Sequence, residues 1–222
     1  MQKNVVLQME GVTRWHRGGR TTLARQSLGL GQQERLCIYG RLENGIMDMY
    51  RMLVGLDQPD EGAIQIDGRM AAVPKEFPYM YDLRVMDYMQ LPLLAEGCPG
   101  SQAMMTARSI LKESDLWSRR AVGAQFLNGF ERCLLMLLMA FTIKPDILIM
   151  GPCTGALNAE EEHVFWKVAG QYMDRWGMAM LFLTDTYRVP YDFDRYCELK
   201  DGIITDQNCL NCTGILTGDD QL

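Results

Sequence analysis

The spacing of apolar and polar residues changes period several times along the chain, and each change predicts an element. Val5-Val6-Leu7-Gln8-Met9 reads as a first strand. The polar run Thr13 to Arg20 predicts a hairpin turn, and Leu28 to Leu30 with Leu36 to Tyr39 supply further strand. Ile46 to Val54 is helix-like. Gly55 to Arg69 then reads as a helix stop, a Pro-Asp-Glu-Gly turn, a short alternating strand and an Asp-Gly turn. Met104 to Leu116 and Glu160 to Trp176 carry helical periodicity. The near-continuous apolar run Cys133 to Phe141 falls far short of the ~20 residues that span a bilayer, so it predicts a buried helix.

Composition narrows the class. The 222 residues suit one α/β domain, with room for a small helical insert and a full core. Apolar residues at 48% and charged ones at 23% mark an ordinary globular protein. A net charge of −6 provides no global basic footprint for nucleic acid. Met1 to Val6 lacks the apolar core of a signal peptide, and seven scattered cysteines fit reduced thiols in a cytosolic compartment. Cys209 and Cys212 form a CxxC, but a zinc site would need two further ligands, and the chain offers only His16, His163 and distant cysteines. No metal site is expected. Seventeen methionines, most in apolar helical patterns, read as adaptable core filler.

The candidate chemistry centres on Gly40-Arg41-Leu42-Glu43-Asn44-Gly45-Ile46-Met47, which lies between the predicted strand and helix. Strand, loop with two glycines five apart, then helix is the layout of a phosphate-cradling P-loop. Such a loop needs a Lys for the outer phosphates and a Ser or Thr for Mg²⁺. Those two positions hold Ile46 and Met47, and Glu43 adds a charge that repels phosphate.

Further segments carry a family resemblance. Gly55-Leu56-Asp57-Gln58-Pro59-Asp60-Glu61-Gly62-Ala63-Ile64-Gln65-Ile66-Asp67-Gly68-Arg69 resembles the segment after the Walker A helix in ABC-transporter ATPases, above all the lipoprotein-release, macrolide-export and cell-division type. Lys144 to Asn158 resembles the family's Walker B and D-loop, Leu127 to Glu131 its signature LSGGQ, Leu181 to Thr186 its switch strand, and Leu199 to Ile204 its closing hairpin. The resemblance covers about residues 5 to 205, in order and with family spacings. It implies an α/β P-loop NTPase fold of the ABC ATPase type: a RecA-like core, an N-terminal antiparallel β part, a helical subdomain inserted at roughly 78–140, and a polar tail over 206–222.

Carried over position by position, the resemblance implies a nucleotide site whose catalytic groups are all replaced. The adenine-stacking aromatic falls at Trp15 or His16, which could still stack on a base. Ile46 and Met47 replace the Lys and the Mg²⁺ hydroxyl, Lys75 the Q-loop Gln, Gly151 the Walker B Asp, Pro152 the general base, and Asp185 the switch His. In the signature, Asn128 replaces Ser, Gly129 is kept, and the ring of Phe130 would occupy the space of a partner's phosphate; Asn158 replaces the D-loop Asp. Phosphoryl transfer is mostly positioning and charge neutralisation, so the chain is expected to be no ATPase. With no Mg²⁺ ligands no cofactor is expected, although Arg41 remains in the loop as a cation for phosphate. Two internal substitutes for the ligand are conceivable: Glu43 or Asp48 at the helix N-terminus, and a Lys75–Asp185 ion pair across the site. The plainer expectation is that these side chains point into solvent.

Pro78 to Leu93 resembles the family segment that lines the groove gripping a permease's coupling helix. Tyr79, Met80, Tyr81 and Leu83 give it an aromatic, Met-rich character suited to a helix. The implied partner is the transmembrane permease of an ABC-type complex, holding the chain peripherally on the cytoplasmic face. A dimer with itself or another ABC ATPase is a further implied partner. The alternatives are a degenerate half of an ATPase heterodimer, which the altered signature argues against, and a soluble binding module.

Overall fold

The computed structural model describes residues 5–16, 19–80, 83–187 and 189–207. Tyr81, Cys209, Cys212 and the tail from 208 onward lie outside the described residues. In chain order the elements are β1 (Val5–Trp15), β2 (Thr21–Gly31), β3 (Arg35–Tyr39), α1 (Ile46–Leu53), β4 (Glu61–Ile66), β5 (Met70–Val73), α2 (Val85–Ala95), α3 (Gly100–Lys112), α4 (Gly129–Thr142), β6 (Ile147–Met150), α5 (Ala159–Trp176), β7 (Ala179–Thr184), β8 (Arg195–Lys200) and β9 (Ile203–Gln207).

Two sheets form. One is antiparallel in the order β2-β1-β4, and the other runs β5-β6-β7-β3-β8-β9. The second is parallel except for β9, which returns from β8 through Asp201 and Gly202, at φ +50° and +79°. Both signs are positive, as a two-residue hairpin turn requires. The fold is therefore α/β with an N-terminal antiparallel part, as the resemblance implies. β1 and β2 are longer than the pattern predicts: Thr13, Arg14 and Trp15 belong to β1, paired with β2 and β4, rather than to a turn. Their polar side chains hide a strand that the sheet accommodates at several register shifts.

The central parallel strands β6 and β7 are apolar on both faces, as a covered parallel sheet demands. In β7, Ala179, Leu181 and Leu183 join one core with Leu36, Ile38, Ile147, Ile149 and the buried side of α1. Met180 and Phe182 face the other core with Val73, Leu148, Met150 and residues of α2, α4 and α5. Between β5 and β6 the chain makes α2, α3, two short 3-10 turns and α4. The run Cys133 to Phe141 is α4's interior, with only Met139 less than fully buried. Among the described residues no helix is long and apolar enough to cross a membrane.

Candidate functional site

β3 lies between β7 and β8 near the middle of the parallel sheet, so its carboxyl end delivers the glycine loop to the edge where α/β sheets carry their ligands. Gly40 N–H donates to Thr184 O at 2.9 Å, and a Cβ at Gly40 would stand 3.0 Å from Leu199 O. Leu42–Asn44 form a 3-10 turn, closed by Asn44 N–H donating to Arg41 O at 2.8 Å. Gly45 then sits at φ +97°, and any Cβ there would be 2.7 Å from Thr22 Cβ and Thr22 O. Glycine is the residue this geometry tolerates.

The two substituted positions turn inward. Ile46 is fully buried, with its Cδ1 3.4 Å from where a Gly40 Cβ would be. Half-buried Met47 packs on the same core. No side chain caps α1 at its N-terminus. Glu43 is exposed and lies 3.7 Å from Arg41, while Asp48 lies 3.7 Å from His16 Nδ1. Asp48 stands in the first turn of α1, where a carboxylate meets the helix's electropositive end, and Glu43 lies exposed in the loop before it. Arg20 donates to Asn44 Oδ1 at 3.0 Å. Trp15 is half exposed, its backbone N–H bonded to Asp60 Oδ2 at 2.7 Å, and His16 is exposed.

Neighbouring strand ends complete the edge. The register Val73↔Met150↔Phe182 puts Lys75, Gly151 and Asp185 beyond three adjacent strands. Gly151 N–H donates to Val73 O at 2.8 Å. A Cβ at Gly151 would stand 3.4 Å from the Tyr50 ring and 3.3 Å from Lys75 N. Burial, with Cys153 beside it, pushes the Tyr50 phenol up to about 12. Pro152 is buried and presents neither donor nor carboxylate. Asp185 Oδ1 lies 3.7 Å from the Cβ position of Gly155. Among the described residues no ion pair joins Lys75 to Asp185, so the fold places both at one edge without pairing them.

The resemblance implies a magnesium–nucleotide complex at this edge, and the donor set does not fit the metal. Mg²⁺ requires oxygen ligands in near-octahedral array. The corresponding positions hold a thioether, no side chain at all, and a proline ring. Among the described residues no group of three or more His, Cys, Asp or Glu could hold a metal ion.

The signature and D-loop residues begin helices. Asn128 Oδ1 accepts from Glu131 N–H at 2.8 Å, and Glu131 Oε2 accepts from Asn128 N–H at 2.9 Å. Asn158 and Glu161 form the same reciprocal box before α5. Gly129 opens α4 and has open space around its Cβ position. The half-buried Phe130 ring packs on the helical core.

At the predicted groove Tyr79 is 53% and Met80 45% exposed. Tyr79 meets Phe77 edge-on at 5.2 Å and carries the Arg132 guanidinium at 5.1 Å. Tyr88 fixes the segment, its hydroxyl accepting from Met80 N–H and lying 3.1 Å from Pro78 O. Leu83 does not line the surface as Tyr79 does: it packs inward on the helical core, and its carbonyl accepts from Ala124 N–H at 3.0 Å. Sequence reasoning missed Phe126, 69% exposed and one residue from the Gln125 carbonyl that Arg132 approaches at 3.5 Å. It also missed Tyr50. The only sequence signal for either was a bulky aromatic beside a motif.

No protein-family model matches the chain. The lipoprotein-releasing system ATP-binding protein LolD of Shewanella frigidimarina is 23% identical over 234 aligned residues, covering 96% of this chain and 98% of that protein. The macrolide export ATP-binding/permease protein MacB 1 of Aeromonas hydrophila is 24% identical over 219 residues, covering 90% of this chain and 34% of its own length. The taurine import ATP-binding protein TauB of Pseudomonas aeruginosa is 30% identical over 152 residues, 64% of this chain and 58% of the relative. Among solved structures, a metal-chelate type ABC transporter in an inward-facing conformation superposes with a TM-score of 0.84 at 17% identity, covering 92% of this chain and 83% of the other. The cbiO1 protein of Clostridium perfringens, part of the ABC transporter complex cbiONQ, gives 0.80 at 14% identity, covering 91% and 88%.

Proposed function

From its standing as a homologue of ABC-transporter ATP-binding proteins with their fold, we propose that this chain is a pseudo-ATPase, a structural or regulatory subunit that docks on an ABC-type membrane permease without hydrolysing ATP. The observation that carries this reading is the interior of the glycine-loop edge. Ile46 is buried in the core and the Tyr50 ring lies against Gly151, so apolar groups stand where phosphoryl transfer needs a cation, a hydroxyl and a carboxylate. Losing one element of such a site slows the reaction. Losing the Lys, both metal positions and the base together leaves only the loop N–H groups and the exposed Arg41, which already faces Glu43.

The permease partner is supported by the relatives, one of which is described as an ATP-binding/permease protein. Tyr79 and Met80 supply the exposed aromatic and thioether surface that grips an apolar helix face. Such docking places the chain on the cytoplasmic side of the membrane, peripheral and held through its partner.

The test is a calorimetric titration of the purified protein with Mg-ATP, paired with a phosphate-release assay. Neither heat up to millimolar nucleotide nor release above buffer is expected. Turnover by the unmodified chain would sink the reading, whereas micromolar binding without turnover would recast the subunit as a nucleotide sensor.

A further inference from the structure

The chain is acidic overall, yet from Gly97 to Lys112 it contains no Asp or Glu and carries Arg108 and Lys112. This stretch includes all of α3, whose inner face buries Ala103, Ala107, Ile110 and Leu111. Its outer face places Met104, Arg108 and Lys112 at i, i+4 and i+8, with Met105 alongside. Met105 is 71% and Met104 41% exposed, so two adjacent thioethers stand beside the cations on this face.

Trp117, in the 3-10 turn Asp115–Arg119 that follows α3, gathers the cations. Its ring carries Arg120 at 4.5 Å, Lys112 at 5.4 Å and Arg108 at 5.7 Å. Arg120 is also pinned by donating to the Trp117 carbonyl at 3.0 Å. Among the described residues none of the three lies within 4 Å of a carboxylate. The flanking acids are engaged elsewhere: Glu96 with Arg69 at 3.5 Å, Glu113 with Arg175 at 2.8 Å, and Glu131 with Arg119 at 3.1 Å. Asp115 is the exposed carboxylate left in the same turn.

We propose that the outer face of α3 together with the Trp117 cluster is an interface for an anionic lipid surface. Three convergent cations on one ring repel each other, and an array of negative headgroups relieves that repulsion. Each Lys or Arg near such a surface strengthens binding about fivefold. The two exposed methionines decide against an acidic protein segment as the occupant: charge pairing has no use for protruding thioethers, whereas a headgroup boundary takes up both apolar tips and cations. The proposal stands apart from the permease reading, because it needs no transmembrane partner.

The experiment is sedimentation of the full chain with vesicles of phosphatidylcholine alone or mixed with phosphatidylglycerol, at low and high salt. Salt-sensitive binding to the anionic vesicles only is expected. Arg108→Gln with Lys112→Gln should weaken it roughly 25-fold. Met105→Ser should weaken binding several-fold even at low salt, and Lys144→Gln, on the Trp176 ring rather than the Trp117 cluster, should leave it unchanged. All four side chains are exposed, and unchanged circular dichroism checks that the variants fold. Equal binding to neutral vesicles, equal loss with Lys144→Gln, or no vesicle binding at all would overturn the proposal. Capture of polyglutamate without vesicle binding would do so too, in favour of an acidic protein partner.

Discussion

The loop into α1 and the N-terminal ends of α4 and α5 resemble motifs of one site, yet their side chains do different work. At α1 and the end of β6 close backbone approaches go with side chains that are apolar or absent. Gly40 and Gly45 still make approaches that a side chain would block, while Ile46, Met47 and Gly151 offer nothing to a phosphate or a metal. At α4 and α5 the residues Asn128 and Asn158 still present polar side chains, and these are spent on their own helices.

The sharpest way to break this comparison is to place a carboxylate at Gly151. Gly151→Asp would set a Cβ 3.4 Å from the Tyr50 ring and 3.3 Å from Lys75 N, in a buried setting. A loss of ~3 kcal/mol or more is expected by urea denaturation, since a buried carboxylate without a partner must be desolvated. An unchanged midpoint would mean that the edge has room for the carboxylate and that Tyr50 does not fill it.

Tyr50 can be examined through its own titration. Burial raises its phenol to about 12 in the folded chain, against about 10 unfolded. The unfolded state then loses its proton first, so stability held below pH 10 drains away as pH climbs toward 12. Tyr50→Phe removes that contribution. Between pH 9 and pH 11 the variant should lose about 1.4 kcal/mol less stability than the parent. Parallel stability curves for the two proteins would show that the ring is not held in the packed edge.

Much of this was legible in the sequence. The period-2 and period-3.6 stretches placed most strands and helices, because strands buried on both faces and helices buried on one leave plain patterns. The ends of β1 and β2 were not legible, since Thr13 to Trp15 are polar residues whose pairing depends on distant β4. Residue identities at Ile46, Met47, Gly151 and Pro152 were readable one by one. The Tyr50 ring against Gly151 was not, because it depends on α1 lying across the end of β6, a juxtaposition of residues 101 positions apart. The packing of Phe130 and Leu83 was not legible either: an apolar residue in a motif can face a partner or the core, and both pack, partly buried, against the helical core.

The smallest effects belong to the helix ends. Asn158→Ala removes a carboxamide oxygen that accepts from Glu160 N–H at 3.1 Å and Glu161 N–H at 3.0 Å, leaving two amide donors at the start of α5 to water. The expected cost is ~1 kcal/mol. Asn128→Ser, which restores the residue the signature resemblance calls for, should change stability by less than about 0.5 kcal/mol, because serine and asparagine cap almost equally well. Paired denaturation curves decide the matter. If the serine variant proved as costly as the alanine one, Asn128 would be doing something beyond capping α4, and its spare amide would point outward to a partner. If both follow the capping scale, Asn128 and Asn158 act as helix starts, which separates them from the apolar and side-chain-free positions at α1 and β6.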